Sequence, residues 1–260
     1  RPQFVNDGEL ENIKARAIEL GAVEYNNRLY SPDKQHEDWF IEMISFSKNI
    51  ENNEPIVMTD ETYELTLDLL NDQDYTVLFW ANKQGENYFD LTDLRQVGVR
   101  QAASNNDDRD AFCGMDQLEQ HDGAQSKTVE LKRPFAQLNI GTSDYAAAED
   151  ANYIPTQSYV KVTNIYSTLD LVEGKVSDEV EAEFALANIK KDETFPVAGY
   201  EYLAMNYLLV GAEKSVVDIE FTYTDGSNAK TRTVGSVPVQ RNYRTNIYGK
   251  LLTSDVDINV

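Results

Sequence analysis

Two-residue alternation constrains this chain more than any other feature of its sequence. The C-terminal segment from Val237 to Val260 reads VPVQRNYRTNIYGKLLTSDVDINV. It closes with Val256, Ile258 and Val260 on one side and Asp255, Asp257 and Asn259 on the other. Side chains that alternate in this way mark a β-strand with one buried and one wet face. The chain stops inside that strand with no polar tail, so the pattern predicts an edge where another strand can pair.

The alternation recurs upstream. Tyr63, Leu65, Leu67 and Leu69 interleave with Thr62, Glu64, Thr66 and Asp68, and Asn71 to Asp74 supply turn chemistry. Tyr75 to Ala81 (YTVLFWA) is apolar on both faces apart from Thr76, which predicts a central strand covered on both sides. Trp39 to Phe46 reads as a short buried strand. Tyr159 to Leu171 reads as one or two strands, and Val180, Ala182, Phe184 and Leu186 alternate as another. Tyr200 to Val210 and Val216 to Tyr223 are strands, and Asp225-Gly226 is a strong turn signal between the second of these and Thr231 to Val234. In Thr128 to Thr142 the apolar parity changes near Arg133-Pro134, and we read a single strand with a β-bulge there. Gln101 to Lys127 is polar and reads as a long loop. Helix is expected only in short pieces, one or two turns in Asp90 to Gln96 and a helix or loop in Ser143 to Ala151. Residues 1–30 fit two patterns. Leu10, Ile13, Ala17 and Leu20 have helical spacing, whereas Glu19 to Tyr25, Asn26-Asn27 and Arg28 to Tyr30 read as strand, turn and strand. Short strands, frequent turns and little helix predict an all-β fold of two β-sandwiches in series.

Composition narrows the partners. Across 260 residues the net charge is -22, so a nucleic-acid backbone or an anionic membrane surface would be repelled. No apolar run approaches the ~20 residues needed to span a bilayer. The chain begins at Arg1 with no apolar signal region, which is expected of a processed product or a piece of a longer chain. Cys113 is the single cysteine, so neither an internal disulfide nor a thiolate metal site can form.

No motif points to catalysis. His36-Glu37 is not followed by a second histidine at Phe40, and His121 lies far away in another polar stretch. No G-x-S-x-G elbow is present, and Ser31 to Lys34 and Ser45 to Lys48 match S-x-x-K without its companion motifs. Gly174-Lys175 and Gly249-Lys250 lack the phosphate-loop glycine five residues earlier, where Leu169 and Arg244 stand. Asp107, Asp108 and Asp110 offer oxygen ligands without the spacing of a calcium loop. Trp39, Trp80 and the tyrosines could stack on sugars but read first as core. No catalytic, cofactor-binding or metal-binding residues are expected.

Two segments nevertheless carry a resemblance. VELKRPFAQLNIGT (Val129 to Thr142) and VPVQRNYRTNIYGKLLT (Val237 to Thr253) resemble segments of the fimbrillins of Bacteroides and their relatives, the FimA-like and Mfa-like subunits of the type V pilus. YTVLFWAN (Tyr75 to Asn82) looks like the same family's central strand. The resemblance covers most of Tyr63 to Val260, and the C-terminal motif is its most specific part. It implies two transthyretin-like sandwiches, residues 1–174 and 175–260, with the boundary near Gly174. It implies a lipoprotein precursor exported to the outer-membrane surface, touching the membrane only through its lipid anchor. Partners would be other fimbrial subunits and host or bacterial surface ligands. Subunits of that family assemble by strand exchange after a protease cuts behind an arginine; Arg16-Ala17 is the candidate bond here. Val256, Ile258 and Val260 are the candidate assembly strand, with a second assembly strand expected within residues 9–25. A monomeric adhesin for carbohydrate or host protein is the alternative reading, and a glycan-degrading enzyme a more distant one.

Overall fold

A computed structural model of the chain describes residues 28–30, 39–43, 55–56, 74–83, 87–100, 102–119, 123–253 and 258–259. The fold is an all-β sandwich architecture with one short α-helix and one 3-10 turn, Asp107–Arg109, among the described residues. The chain gathers into two compact units. One comprises Arg1–Gly98, Asp110–Arg133 and Leu169–Lys175; the other comprises Val99–Arg109, Pro134–Thr168 and Val176–Val260. Strand Tyr63 to Leu69, Asn71 to Gln73 of its turn and both histidines lie outside the described residues, as do residues 1–27 of the two patterns read in 1–30, whereas Arg28 to Tyr30 of the strand-turn-strand pattern is a strand.

In the first unit the strands are β1 (Arg28–Tyr30), β2 (Trp39–Met43), β3 (Pro55–Ile56), β4 (Tyr75–Lys83), β5 (Phe89–Asp90), β6 (Val97–Val99, reaching the second unit at its last residue) and β7 (Ala111–Leu118). Five of them form a sheet in the order β3-β1-β2-β4-β7, antiparallel except for β1 with β3. The flanked position of β4 follows from its sequence. Val77 and Leu78, on opposite faces, are both buried, and Trp80 is wholly covered with the Phe89 ring edge-on at 5.1 Å. A strand apolar on both faces cannot sit at a wet edge without exposing one of them.

Three expectations are corrected here. Asp90 to Gln96 forms Asx turns, not helix. The Asp90 carboxylate accepts from the Thr92 amide at 3.1 Å and its hydroxyl at 2.6 Å, and the Asp93 carboxylate accepts from the Arg95 amide at 2.9 Å. Short acidic side chains that take local amides compete with a helical ladder. The stretch 101–127 is not all loop, because β7 lies within it. Its mixture of apolar and polar residues on both faces conceals it, and the chain crosses close over it: a Cβ on Gly114 would stand 2.7 Å from the Leu131 side chain and 3.3 Å from the Glu130 carbonyl. Finally, Thr128 to Thr142 is not one bulged strand. Lys132 exchanges a pair of 2.9 Å backbone hydrogen bonds with Cys113, and Arg133 grips the Asp110 carboxylate with both guanidinium arms while lying over the Phe112 ring at 4.9 Å. The parity change marks the point where the chain leaves one unit for the other, and a new strand opens at Phe135.

The second unit holds β8 (Phe135–Thr142), α1 (Tyr145–Asp150), β9 (Gln157–Asp170, passing into the first unit at its last two residues), β10 (Lys175–Glu183, from Val176 on), β11 (Ala187–Asn188), β12 (Glu201–Leu209), β13 (Ser215–Thr224), β14 (Ala229–Val239), β15 (Arg244–Gly249) and β16 (Ile258–Asn259). One sheet runs β14-β13-β9, with β10 and β11 also on β9; the other runs β12-β8-β15-β16. Gly174 sits at φ 65° in the turn between β9 and β10. The predicted Asp225-Gly226 turn joins β13 to β14, with the Asp225 carboxylate accepting from the Ser227 and Asn228 amides at 2.8 and 2.6 Å. Leu138, Ile140, Val160, Val162, Leu203, Val217, Phe221 and Ile247 interleave between the two sheets as the core.

Asn105, from the stretch read as loop, ties the two sheets together. At φ 58° it exchanges hydrogen bonds with the backbone of Met205 on β12, through its amide at 2.8 Å and its side-chain oxygen at 2.9 Å. Its side-chain nitrogen reaches Ser158 on β9 and the Asn188 carbonyl on β11, each at 3.1 Å. A short amide side chain tolerates the left-handed backbone and satisfies buried groups on both sides.

Candidate functional site

The two segments singled out in the sequence meet in one sheet. β8 and β15 are neighbouring parallel strands, with Arg244 opposite Gln137, Asn246 opposite Asn139, and Tyr248 opposite Gly141. Parallel neighbours require a crossover, and the whole of α1 to β14 lies between them in the chain. The periodicity of each segment predicts a strand; nothing in it predicts this pairing.

Side chains reinforce the pairing rung by rung. Arg244 Nε donates to Gln137 Oε1 at 2.9 Å, and Asn139 Nδ2 donates to Asn246 Oδ1 at 2.9 Å. At the third rung there is no side chain on Gly141, and the Phe195 ring fills the space, 2.6 Å from where a Cβ would stand. Phe195 meets Tyr202 edge-on at 5.0 Å, and Tyr200 meets Tyr248 in the same manner at 4.8 Å. The turn Gln240 to Tyr243 fastens the start of both strands. The Asn242 amide donates to the Phe135 carbonyl at 2.8 Å, and the Gln137 amide donates to the Tyr243 carbonyl at 3.0 Å. The Arg241 guanidinium donates to the Val210 carbonyl at 3.3 Å. In the QRNYRTN run the side chains of Gln240, Arg241, Arg244, Thr245 and Asn246 are thus bonded within the fold, whereas Asn242 and Tyr243 contribute through their backbone and the Tyr243 ring is exposed.

At the far end of the pair the threonines that close the two segments, Thr142 and Thr253, converge on one carboxylate. Asp144 is 5% exposed and accepts from the Thr142 hydroxyl, from the Leu252 and Thr253 amides at 3.3 and 2.8 Å, and from the Thr253 hydroxyl at 2.7 Å. Burial pushes this carboxyl up, but the hydrogen bonds from Thr142, Thr253 and Leu252 together outweigh it and hold the group below the usual carboxylate range. No motif in the sequence marks Asp144 out. Its one sequence signal is the short spacing from Thr142, which ends the first of the two segments.

β16 forms the outer strand of this sheet. It runs antiparallel to β15, with Asn259 opposite Tyr248 and Ile258 opposite Gly249. Of the candidate assembly residues, Ile258 lies in that strand. Val256 and Val260 lie outside the described residues, as do Arg16 and Ala17 of the candidate cleavage bond. The three aspartates weighed as calcium ligands do not form a site together: Asp107 pairs with Lys190 and Asp110 with Arg133. Among the described residues no group of three or more His, Cys, Asp and Glu side chains gathers to hold a metal ion, and no helix is long and apolar enough to cross a membrane.

Comparison with known proteins gives the following. The model of a family described as "Family of unknown function (DUF6562)" matches residues 9–260. No curated protein matches. Solved structures with similarity include a candidate cell adhesion protein from Bacteroides uniformis, at 13% identity and TM-score 0.42, covering 85% of this chain and 80% of that one. A candidate adhesin from Bacteroides thetaiotaomicron is similar at 12% identity and TM-score 0.40, covering 74% of this chain and 76% of its own. A fimbrial assembly protein from Parabacteroides distasonis is similar at 12% identity and TM-score 0.35, covering 71% and 67%.

Proposed function

The chain belongs to the DUF6562 family, a family of unknown function, and we propose that it serves as a structural and adhesive subunit of a bacterial surface fimbria. It would be exported as a lipoprotein precursor, act outside the outer membrane and carry out no catalysis. Its partners would be further subunits, joined by strand exchange. A protease cut at Arg16-Ala17 opens an acceptor groove, and the C-terminal strand of a neighbour fills it.

The observation that carries this reading is the place of β16. It is the outer strand of its sheet and lies on β15, the strand that holds the most specific fimbrillin-like motif. Among the described residues a strand at that position is bonded along one side, so it can leave without opening the sandwich behind it. In a new partner, main-chain hydrogen bonds would supply affinity, and alternate side chains such as Val256, Ile258 and Val260 would fill pockets. The resemblance of Val129 to Thr142 and Val237 to Thr253 to fimbrillin segments supports the same reading, because those two stretches build the sheet to which β16 belongs. The strong negative charge suits a protein that works away from phosphate-rich surfaces.

The test is limited digestion with an arginine-specific protease followed by unheated and heated denaturing gels. Cleavage behind Arg16 should convert monomer into a ladder of oligomers that survives heating in detergent. If cut and uncut chains both stay monomeric, strand exchange is wrong. Tight glycan binding by those monomers would put the monomeric adhesin in its place.

A further inference from the structure

We propose that Thr142 and Asp144 are the anchor from which the C-terminal strand hangs, which makes Asp144 a positioning residue for that strand. The geometry is more elaborate than a turn between two strands needs. Three successive amides are taken by these two side chains: Leu251 by the Thr142 hydroxyl at 3.1 Å, then Leu252 and Thr253 by the Asp144 carboxylate at 3.3 and 2.8 Å. The Thr253 hydroxyl donates to the same carboxylate at 2.7 Å, and the Ser143 amide donates to the Gly249 carbonyl at 3.1 Å. The opposite side of the turn is held as well. The Leu251 carbonyl accepts from the Tyr223 hydroxyl at 2.8 Å and from Arg232 Nε at 3.2 Å, while Leu251 and Leu252 bury their side chains in the core.

A segment bonded through its amides, its carbonyl and its side chains moves only if the core moves. Gly249 to Thr253 therefore stays with the sandwich, and freedom to exchange begins beyond Thr253. The acceptor chemistry favours a charged carboxylate, since hydrogen bonds to an ionised acceptor are stronger than neutral ones and the site presents donors only. An asparagine here would turn an NH2 group towards one or more of those donors. The role in assembly rests on the strand-exchange reading; the anchor itself does not.

Two measurements separate them. Hydrogen exchange on the uncut monomer should show the amides of Leu251, Leu252 and Thr253 exchanging roughly tenfold faster or more in Asp144→Asn, with β12 unchanged. Thr253→Val keeps the backbone amide and should give a smaller increase, so it serves if Asp144→Asn fails to fold. Equal exchange at these amides in wild type and a folded variant overturns the anchor. In the second measurement, cleaved Asp144→Asn should assemble at least about tenfold more slowly than cleaved wild type, because the donor strand is no longer presented at a fixed point. Assembly at the wild-type rate, with the β12 amides equally protected, overturns the positioning role. A wild-type chain that never assembles refutes strand exchange and leaves the anchor to be decided by exchange alone.

Discussion

A methyl group at Gly141 would stand 2.6 Å from the Phe195 ring, which is itself buried against Tyr202 and Tyr200. The ring cannot retreat without breaking those contacts, so Gly141→Ala should destabilise the fold by about 1–3 kcal/mol, read as a lower urea midpoint with an unchanged slope. Phe195→Leu combined with Gly141→Ala should recover part of the loss, because the two changes share one space. Asp144 gives a pH-dependent prediction at the same scale. Its folded pKa is depressed, so the carboxylate's contribution is complete above the unfolded value of about 3.9 and is lost as pH falls through the lower folded value. The stability gap between wild type and Asp144→Asn should therefore be constant from neutral pH down to about 4 and close below it. A gap that persists unchanged into strong acid would mean that charge is not what the site uses. Neither residue was legible in the sequence. Glycine on an apolar strand and aspartate after a strand are both common, and only the pairing across the fold gives them weight.

At the scale of elements, Asn105 makes the sharpest prediction. Its side chain bonds β12, β9 and β11 from a backbone at φ 58°. Asn105→Gly keeps the backbone freedom and loses the bonds, whereas Asn105→Ala loses both. Each should cost about 1–3 kcal/mol for the buried groups left unsatisfied, with alanine worse by roughly 1 kcal/mol for the left-handed backbone. If alanine and glycine prove equally harmless in thermal unfolding, the tie between the sheets is ornamental. Strands were the most readable elements. The strands read at Tyr200 to Val210 and Val216 to Tyr223 stand as β12 and β13, and two-sided apolarity placed β4 away from an edge. What failed did so for physical reasons. β7 (AFCGMDQL) mixes apolar and polar residues on both faces and buries only Ala111 fully, so it shows no alternation. Thr128 to Thr142 has one periodicity broken once, and the same break serves a bulge or a passage between units. The Arg133 to Asp110 contact decides between them, and pairings of that range leave no periodic trace.

At the scale of the molecule, the fold class was legible because it depends on strand count and turn frequency, whereas the pairing of β8 with β15 was not. That pairing joins the two segments singled out in the sequence into one sheet and, among the described residues, sets β16 at its outer edge. If the C-terminal strand is the element donated to a neighbour, it must leave β15 to do so. Tyr248 and Asn259 are direct partners across that boundary, within the reach of an antiparallel cross-strand disulfide. The most direct measurement is therefore assembly of a Tyr248→Cys, Asn259→Cys chain in a Cys113→Ser background, cut by the arginine-specific protease and followed on a denaturing gel with and without reductant. Strand exchange requires that the oxidised chain stays monomeric and that reduction releases the same oligomer ladder as wild type. A ladder of equal extent from the fully oxidised, intramolecularly linked chain would contradict it, since the strand would then have stayed at home while the subunits joined.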